Sequence, residues 1–330
     1  MGLAQQWRAD RHNPGERNKM AVGTEDVAPM SSALEPDMIR SGSRLLRPIE
    51  AISAVLLSII IILLLMGVTS RYVFSIPVVW IDEAASICFL WLAMLGSAIA
   101  LDRNEHLRLT IFLSMFPKSL QGFVQTLALV LIATFLLVMM EPSVDYVMEE
   151  WFVTSAALNI PNSFRVSAIA CGIFLMFAIV ASYAIRTSTI RDLVVSVALV
   201  AVVGLLCWFL SPTLRGWGNF NILIFLVGFV VVCLALGVPI AFCFGIGTMC
   251  FLLFATHVPI FVMIGRMDEG MSSIILLSVP IFVLLGCVLD ATGMGKAIVD
   301  FLASMLGHVR AGMSYVLLGS LFLVSGISGS

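Results

Sequence analysis

From Gly216 to Gly265 the chain contains no Asp, Glu, Lys or Arg. A charged side chain at mid-bilayer costs about 2.5–3.5 kcal/mol on the insertion scale, so a charge-free stretch of this length points to lipid, not water, as the solvent. Five shorter charge-free runs precede it, Ala51 to Ser70, Ala84 to Leu101, Ser119 to Met140, Val166 to Ile185 and Leu193 to Leu214, and two follow, Gly270 to Leu289 and Ala311 to Ser330. Each is close to the length of about 20 residues that an α-helix needs to cross. The composition agrees: 12% of residues are charged, against about 25% in a soluble domain. The expected fold class is an all-α integral membrane protein.

The long run holds two crossings if it turns at Gly237-Val238-Pro239, where glycine permits the turn and proline opens the next helix without needing its N–H. Nine apolar segments result. Residues 1–43 mix charge, Pro, Gly and Ser without apolar period and are expected to be a disordered cytoplasmic tail. The first apolar run is too long for a signal peptide and lacks an A-x-A site, so it is expected to remain as an anchor.

Lys and Arg in the short connections set the orientation. With the N-terminus in the cytoplasm, Arg40, Arg44, Arg47, Arg103, Arg108, Lys118, Arg186, Arg191, Lys296 and Arg310 lie inside, and Arg71, Arg165, Arg215 and Arg266 outside. The outer connections are then acidic, with Asp82, Glu83, Glu141, Asp145, Glu149, Glu150, Asp268 and Glu269. Glu141, Asp145, Glu149 and Glu150 are candidate docking positions for a soluble partner, against the plainer reading of solvated loop charges. Arg71 and Arg165 read as headgroup anchors at span ends. Trp80, Trp91, Trp151, Trp208 and Trp217 read as an aromatic belt. Leu107 to Phe116 is apolar but too short to cross and reads as an interfacial segment or a helix extension.

Several function classes are excluded or disfavoured. A net charge of −2 without a basic patch argues against nucleic acid. No GxxxxGK[ST], HExxH or GxSxG motif is present, so no enzyme is expected. The seven cysteines lie in apolar runs without C-x-x-C spacing and read as packing residues; the four histidines have no partner at ligand spacing.

Transport sites form where helices break at bilayer depth and expose polar backbone. Ser278 and Pro280 mark one candidate break, with an ordinary proline kink as the alternative. The second is Ser325-Gly326-Ile327-Ser328-Gly329-Ser330, where serine and glycine weaken a continuous helix. Its hydroxyls and carbonyls suit a small hard cation such as Na+. Close helix packing through small residues is the alternative.

Arg71-Tyr72-Val73-Phe74-Ser75-Ile76-Pro77, then Trp80, Glu83, Trp91, Gly96, Asp102-Arg103-Asn104-Glu105-His106-Leu107 and Asn159-Ile160-Pro161, resemble the small membrane subunit of tripartite ATP-independent periplasmic (TRAP) transporters. From about Asn221, Leu236-Gly237-Val238-Pro239-Ile240-Ala241-Phe242, Ser278-Val279-Pro280-Ile281-Phe282-Val283-Leu284-Leu285-Gly286, Gly307-His308-Val309-Arg310-Ala311-Gly312 and Gly326-Ile327-Ser328-Gly329-Ser330 resemble the large subunit.

The resemblance implies a four-helix small-subunit part (residues 44–186), a fusion helix and loop (187–220), and the start of an ion-transporter-like elevator fold with a re-entrant hairpin (221–330). It implies a Na+-coupled symporter for a small organic acid, C4-dicarboxylates, sialic acid and ectoine-like solutes all being open. A periplasmic solute-binding protein feeds it in the bacterial inner membrane, and no ATPase is expected. It places Gly326, Ser328, Gly329 and Ser330 at a hairpin tip beside a sodium site. Ala311 stands where the family has a second glycine. Because the large subunit should continue, the 330-residue product alone is expected not to transport. A non-transporting scaffold or a fragment is the alternative reading.

Overall fold

The computed structural model describes residues 46–103, 117–218, 220–306 and 311–328. The expectations for the tail, for Leu107 to Phe116 and for Gly329 and Ser330 lie outside the described residues. In lipid every backbone N–H and C=O must be satisfied within the segment, and the chain meets that demand with helices. They are α1 (Arg47–Tyr72), α2 (Val79–Asp102), α3 (Lys118–Glu149), α4 (Ser163–Thr187), α5 (Ile190–Arg215), α6 (Phe220–Ala235), α7 (Ile240–Ala255), α8 (Phe261–Met271), α9 (Val279–Ala291), α10 (Met294–Leu306) and α11 (Gly312–Ser328).

Among the described residues five helices, α1 to α5, are long and apolar enough to cross a membrane, and a sixth span results if the bent pair α8–α9 counts as one. The remaining expected crossings are shorter. At about 1.5 Å per residue, the apolar α6 and α7 fall short of a hydrocarbon core of about 30 Å. Both contain π-helical stretches, Leu223–Phe229 and Phe251–Ala255.

α3 corrects the expected boundary in the other direction. Its 32 residues run on past Met140 through Pro142 to Glu149, so the stretch bearing Glu141 to Glu149 is helix and not connection. Pro142 and Ser143 are buried there while Glu141, Asp145 and Glu149 are exposed. Packing of the inward stripe carries the helix through Pro142 and past the end of the charge-free run.

The core forms on both sides of α4, which packs against α2 and against α3. Leu90, Met94 and Ala98 of α2, Ile132, Leu136 and Met139 of α3 and Val166, Ile169 and Ile173 of α4 are all buried. The three-to-four-residue spacing puts each set on one helical stripe. α1 packs on α2, and α5 on α3 and the end of α7. Both present apolar side chains outward, Phe209 of α5 being 82% exposed, as a lipid-facing surface requires. The cluster continues into α6 to α8 through Val230, Cys233, Phe242, Cys243, Ile246, Met263 and Ile264. One apolar core therefore serves both sequence halves.

The turn between α6 and α7 falls at Gly237, as expected. Gly237 has φ +78; its N–H bonds the Leu234 carbonyl at 3.0 Å, and the Val238 N–H bonds the Cys233 carbonyl at 3.1 Å. This is a Schellman cap, which needs the left-handed residue that glycine supplies.

The helix is interrupted at Ser278, between a single turn and α9, while the larger bend lies just upstream. The chain bends by 51° between α8 and the following helix, at Ser272–Ser273, before a single turn at Ile274–Leu277. Pro280 sits in the first turn of α9, where a missing N–H costs nothing. Of the stretch Ser325 to Ser330 in which a second break is expected, the part up to Ser328 continues α11, which runs from Gly312 to Ser328. Where no water competes, the intrahelical bond outweighs the weak propensity of Gly and Ser.

Candidate functional site

The ends of α3, α4 and α8 and the loop 153–162 converge on a polar network that the apolar runs conceal. The loop is a short hairpin: Ser155 N–H bonds the Ile160 carbonyl at 2.9 Å and Asn162 N–H bonds the Val153 carbonyl at 2.8 Å, around a Thr154–Pro161 bridge. Asn159 takes φ +54 at its tip, a conformation that Asn tolerates better than most residues. Glu83, in the first turns of α2, fastens this hairpin by accepting the N–H groups of Ala157 at 2.9 Å and Leu158 at 2.8 Å. Two separated stretches singled out in the sequence, around Glu83 and around Asn159 to Pro161, are thus one structure.

Arg165, in the first turn of α4, is the hub. Its Nη2 meets Asp268 Oδ2 of α8 at 2.8 Å, with the two side chains 17% and 7% exposed. Its Nε donates to Asn162 Oδ1 at 2.9 Å and its Nη1 to Ser272 Oγ. Asn162 Nδ2 donates to Glu150. Tyr146 donates to Asp268 Oδ2 at 3.3 Å, and Ser272 Oγ donates to Asp268 Oδ1 at 3.3 Å. Arg165 is therefore no headgroup anchor. Burial of a charge is tolerated only with a partner and with its hydrogen bonds filled, and both conditions are met.

A cavity of about 730 Å³ opens beside this network, lined by Arg71, Asp82, Glu83 and Ser86 on one side and by Asn162, Arg165, Ser272 and Ser273 on the other. Each of its charged side chains is engaged, Glu83 by backbone amides. Arg71 pairs with Asp82 at 3.2 Å at the exposed rim, and Arg165 donates from all three nitrogens. Among the described residues, both arginines on its walls thus already have a carboxylate partner.

The sequence candidates distribute unevenly around it. Glu150 is tied to Asn162 and so is part of the network. Glu141, Asp145 and Glu149 lie at four-residue intervals on the exposed face of α3. Ser278 and Pro280 do not line the cleft; the Ser278 hydroxyl bonds the Ile275 carbonyl at 2.6 Å. Gly326 is exposed on α11, with nothing within 4 Å of where a Cβ would stand, and Ser328 ends that helix. Trp91 also departs from expectation: its indole N–H bonds the Phe164 carbonyl at 3.1 Å, so it ties α2 to α4 and is not a belt residue. Among the described residues no three His, Cys, Asp or Glu side chains assemble a metal site.

Sequence reasoning missed Tyr146, Asn162 and Ser272, and it placed Asp268 only among the acidic outer charges. The only signal was the Asp268–Ser272 spacing of four, which puts an acid and a hydroxyl on one helical face; nothing local pointed to Arg165, 103 residues away.

Comparison with known proteins matches two components along the chain. Residues 60–191 match the family described as tripartite ATP-independent periplasmic transporters, DctQ component, and residues 227–330 match the DctM component. The chain is similar to the sialic acid TRAP transporter permease protein SiaT of Haemophilus influenzae, 24% identical over 81% of this chain and 45% of that protein. It is similar to the isethionate TRAP transporter permease protein DctMQ of Oleidesulfovibrio alaskensis, 25% identical over 76% of this chain and 39% of that protein. The C4-dicarboxylate TRAP transporter large permease protein DctM of Rhodobacter capsulatus is 27% identical over 31% of this chain and 23% of that protein. The chain thus spans less than half the length of the two fused relatives.

Proposed function

This chain belongs to the TRAP transporter permeases, its small-subunit part preceding the start of a large-subunit part, and on that premise we propose that it works in Na+-coupled uptake of a small organic acid. It is a multi-pass membrane protein and a transporter component, not an enzyme. The observation that carries the reading is the order of the two components in one chain, sharing one apolar core and joined by a buried ion pair.

In this reading the membrane is the bacterial inner membrane, the N-terminus is cytoplasmic and the cleft beside Arg165 opens to the periplasm. A periplasmic solute-binding protein delivers the substrate, and the acidic face of α3 at Glu141, Asp145 and Glu149 contributes to its docking. Gly326, Ser328, Gly329 and Ser330 contribute oxygens to a Na+ site. The substrates named for the relatives, sialic acid, isethionate and a C4-dicarboxylate, are all organic anions. They support the class and do not single out the dicarboxylate.

The test is uptake into proteoliposomes by the whole permease that carries this sequence. Accumulation of an organic acid that requires both the binding protein and an inward Na+ gradient is expected. Uptake that needs ATP hydrolysis, or that proceeds at full rate without the binding protein, contradicts the proposal.

A further inference from the structure

We propose that Arg165 is a positioning residue that selects the seat of the large-subunit part on the small-subunit part, by reading Asp268 and Ser272 on α8 with its guanidinium fork. The inference rests on the geometry of the joint and not on the transport reading, so either can fail alone.

Most of the contact between the two parts is apolar. Phe135 of α3 meets Phe242 of α7 edge-on, with ring centroids 6.1 Å apart, and a Cβ at Gly245 would come within 2.9 Å of the Phe135 ring. Within a bilayer such surfaces are no more apolar than the lipid they displace, so burial by itself gives little drive to one arrangement over another. Packing supplies closeness, and a neighbouring register of similar shape would be nearly as good.

The Arg165 network removes that degeneracy. Asp268 and Ser272 are four residues apart and share one face of α8. The guanidinium bonds both at once, Asp268 Oδ2 at 2.8 Å through Nη2 and Ser272 through Nη1. Its third donor is held by Asn162, which is itself held by Glu150, so the fork is aimed before α8 arrives. Any other register leaves a charge buried without its partner, which is far more costly than a lost apolar contact. The planar, multidentate geometry is specific to arginine; lysine would bring the charge as a single point without the fork.

The experiment uses the full chain in lipid nanodiscs, with the seven native cysteines replaced and spin labels at Phe152→Cys and Ile275→Cys, exposed positions in the two parts. Label-to-label distance and thermal midpoint are read together. The parent is expected to give one narrow distance. Arg165→Lys is expected to broaden or shift it, and Asp268→Asn to do so while lowering the midpoint by about 10 °C. The double variant Arg165→Met/Asp268→Leu is expected to recover most of the midpoint, because no lone charge stays buried, yet to keep the broad distance. That separation of stability from position is what a merely structural ion pair would not show. A narrow parental distance in Arg165→Lys, or in the double variant, overturns the proposal by showing that apolar packing alone sets the seat.

Discussion

The Glu83 carboxylate accepts the backbone N–H of Leu158 at 2.8 Å, across 75 residues of chain. The same oxygen takes the Ala157 N–H at 2.9 Å, so one side chain of α2 satisfies two successive donors at the turn of the 153–162 hairpin. The hairpin in turn holds Asn162, which aims Arg165. The shape of the cleft thus depends on a residue that touches neither part of the ion pair.

Glu83→Ala is expected to lower stability by about 2 kcal/mol, since bonds to a charged acceptor contribute about 1.5–3 kcal/mol each and this site is partly solvated. Glu83→Gln keeps an acceptor and is expected to lose less. Hydrogen exchange at Ala157 and Leu158 checks this directly: both amides should exchange faster in Ala than in Gln. Unchanged protection in Glu83→Ala would remove the clamp from the account.

Gly172 of α4 lies against Met94 of α2, and a Cβ there would stand 2.5 Å from Met94 Cε and 2.8 Å from Met94 Cβ. The first contact can be relieved by a flexible side chain, but the second cannot. Gly172→Ala is therefore expected to push α2 and α4 apart and to cost about 1–3 kcal/mol as overpacking. Gly204→Ala on α5, with nothing within 4 Å, is the control and is expected to be neutral or slightly stabilising. Thermal unfolding of the two variants in the same detergent measures the contrast.

Ala311 holds φ +61 at the start of α11. A left-handed conformation costs an L-residue about 1–2 kcal/mol and glycine almost nothing, which gives a physical reason for the glycine that the TRAP resemblance places there. Ala311→Gly is expected to raise stability by about 0.5–1 kcal/mol, the gain being offset by the greater freedom of glycine in the unfolded chain. A lower thermal midpoint in this variant would contradict the backbone assignment.

Among the described residues, Glu141, Asp145 and Glu149 make no ion pair or side-chain hydrogen bond that charge reversal would break. Changing all three to lysine is expected to leave the thermal midpoint within about 2 °C while slowing binding-protein association by about tenfold at low salt, the difference vanishing at high salt. Surface plasmon resonance at two ionic strengths reads the effect. Glu150→Lys is expected to behave differently and to destabilise, because Glu150 accepts from Asn162.

The sequence made the membrane class, the first five spans and the Gly237 turn legible, because each follows from local rules: charge-free length, capping chemistry and the obligations of a backbone in lipid. The presence of both subunit components in one chain was legible through motif order. What it concealed depends on distant partners. Arg165 looks like a headgroup anchor when only its neighbours are known, and Trp91 looks like a belt residue until Phe164 is seen to accept its N–H. α3 outruns its apolar stretch because its buried stripe, not its average hydropathy, decides where it ends. Pro280 stands in the first turn of α9, a placement that cannot be told from mid-helix in a run of apolar residues.

All of this stands on how the chain is threaded through the bilayer, with the cleft at Arg165 on one side and the α4–α5 connection on the other. Single cysteines at Ala156, beside the cleft, and at Thr189, after α4, in a background without native cysteines, can be challenged in intact cells with a membrane-impermeant maleimide. Labelling of Ala156→Cys before permeabilisation and of Thr189→Cys only after it is the expected result. Equal labelling of the two in intact cells, or the reverse order, would contradict the account.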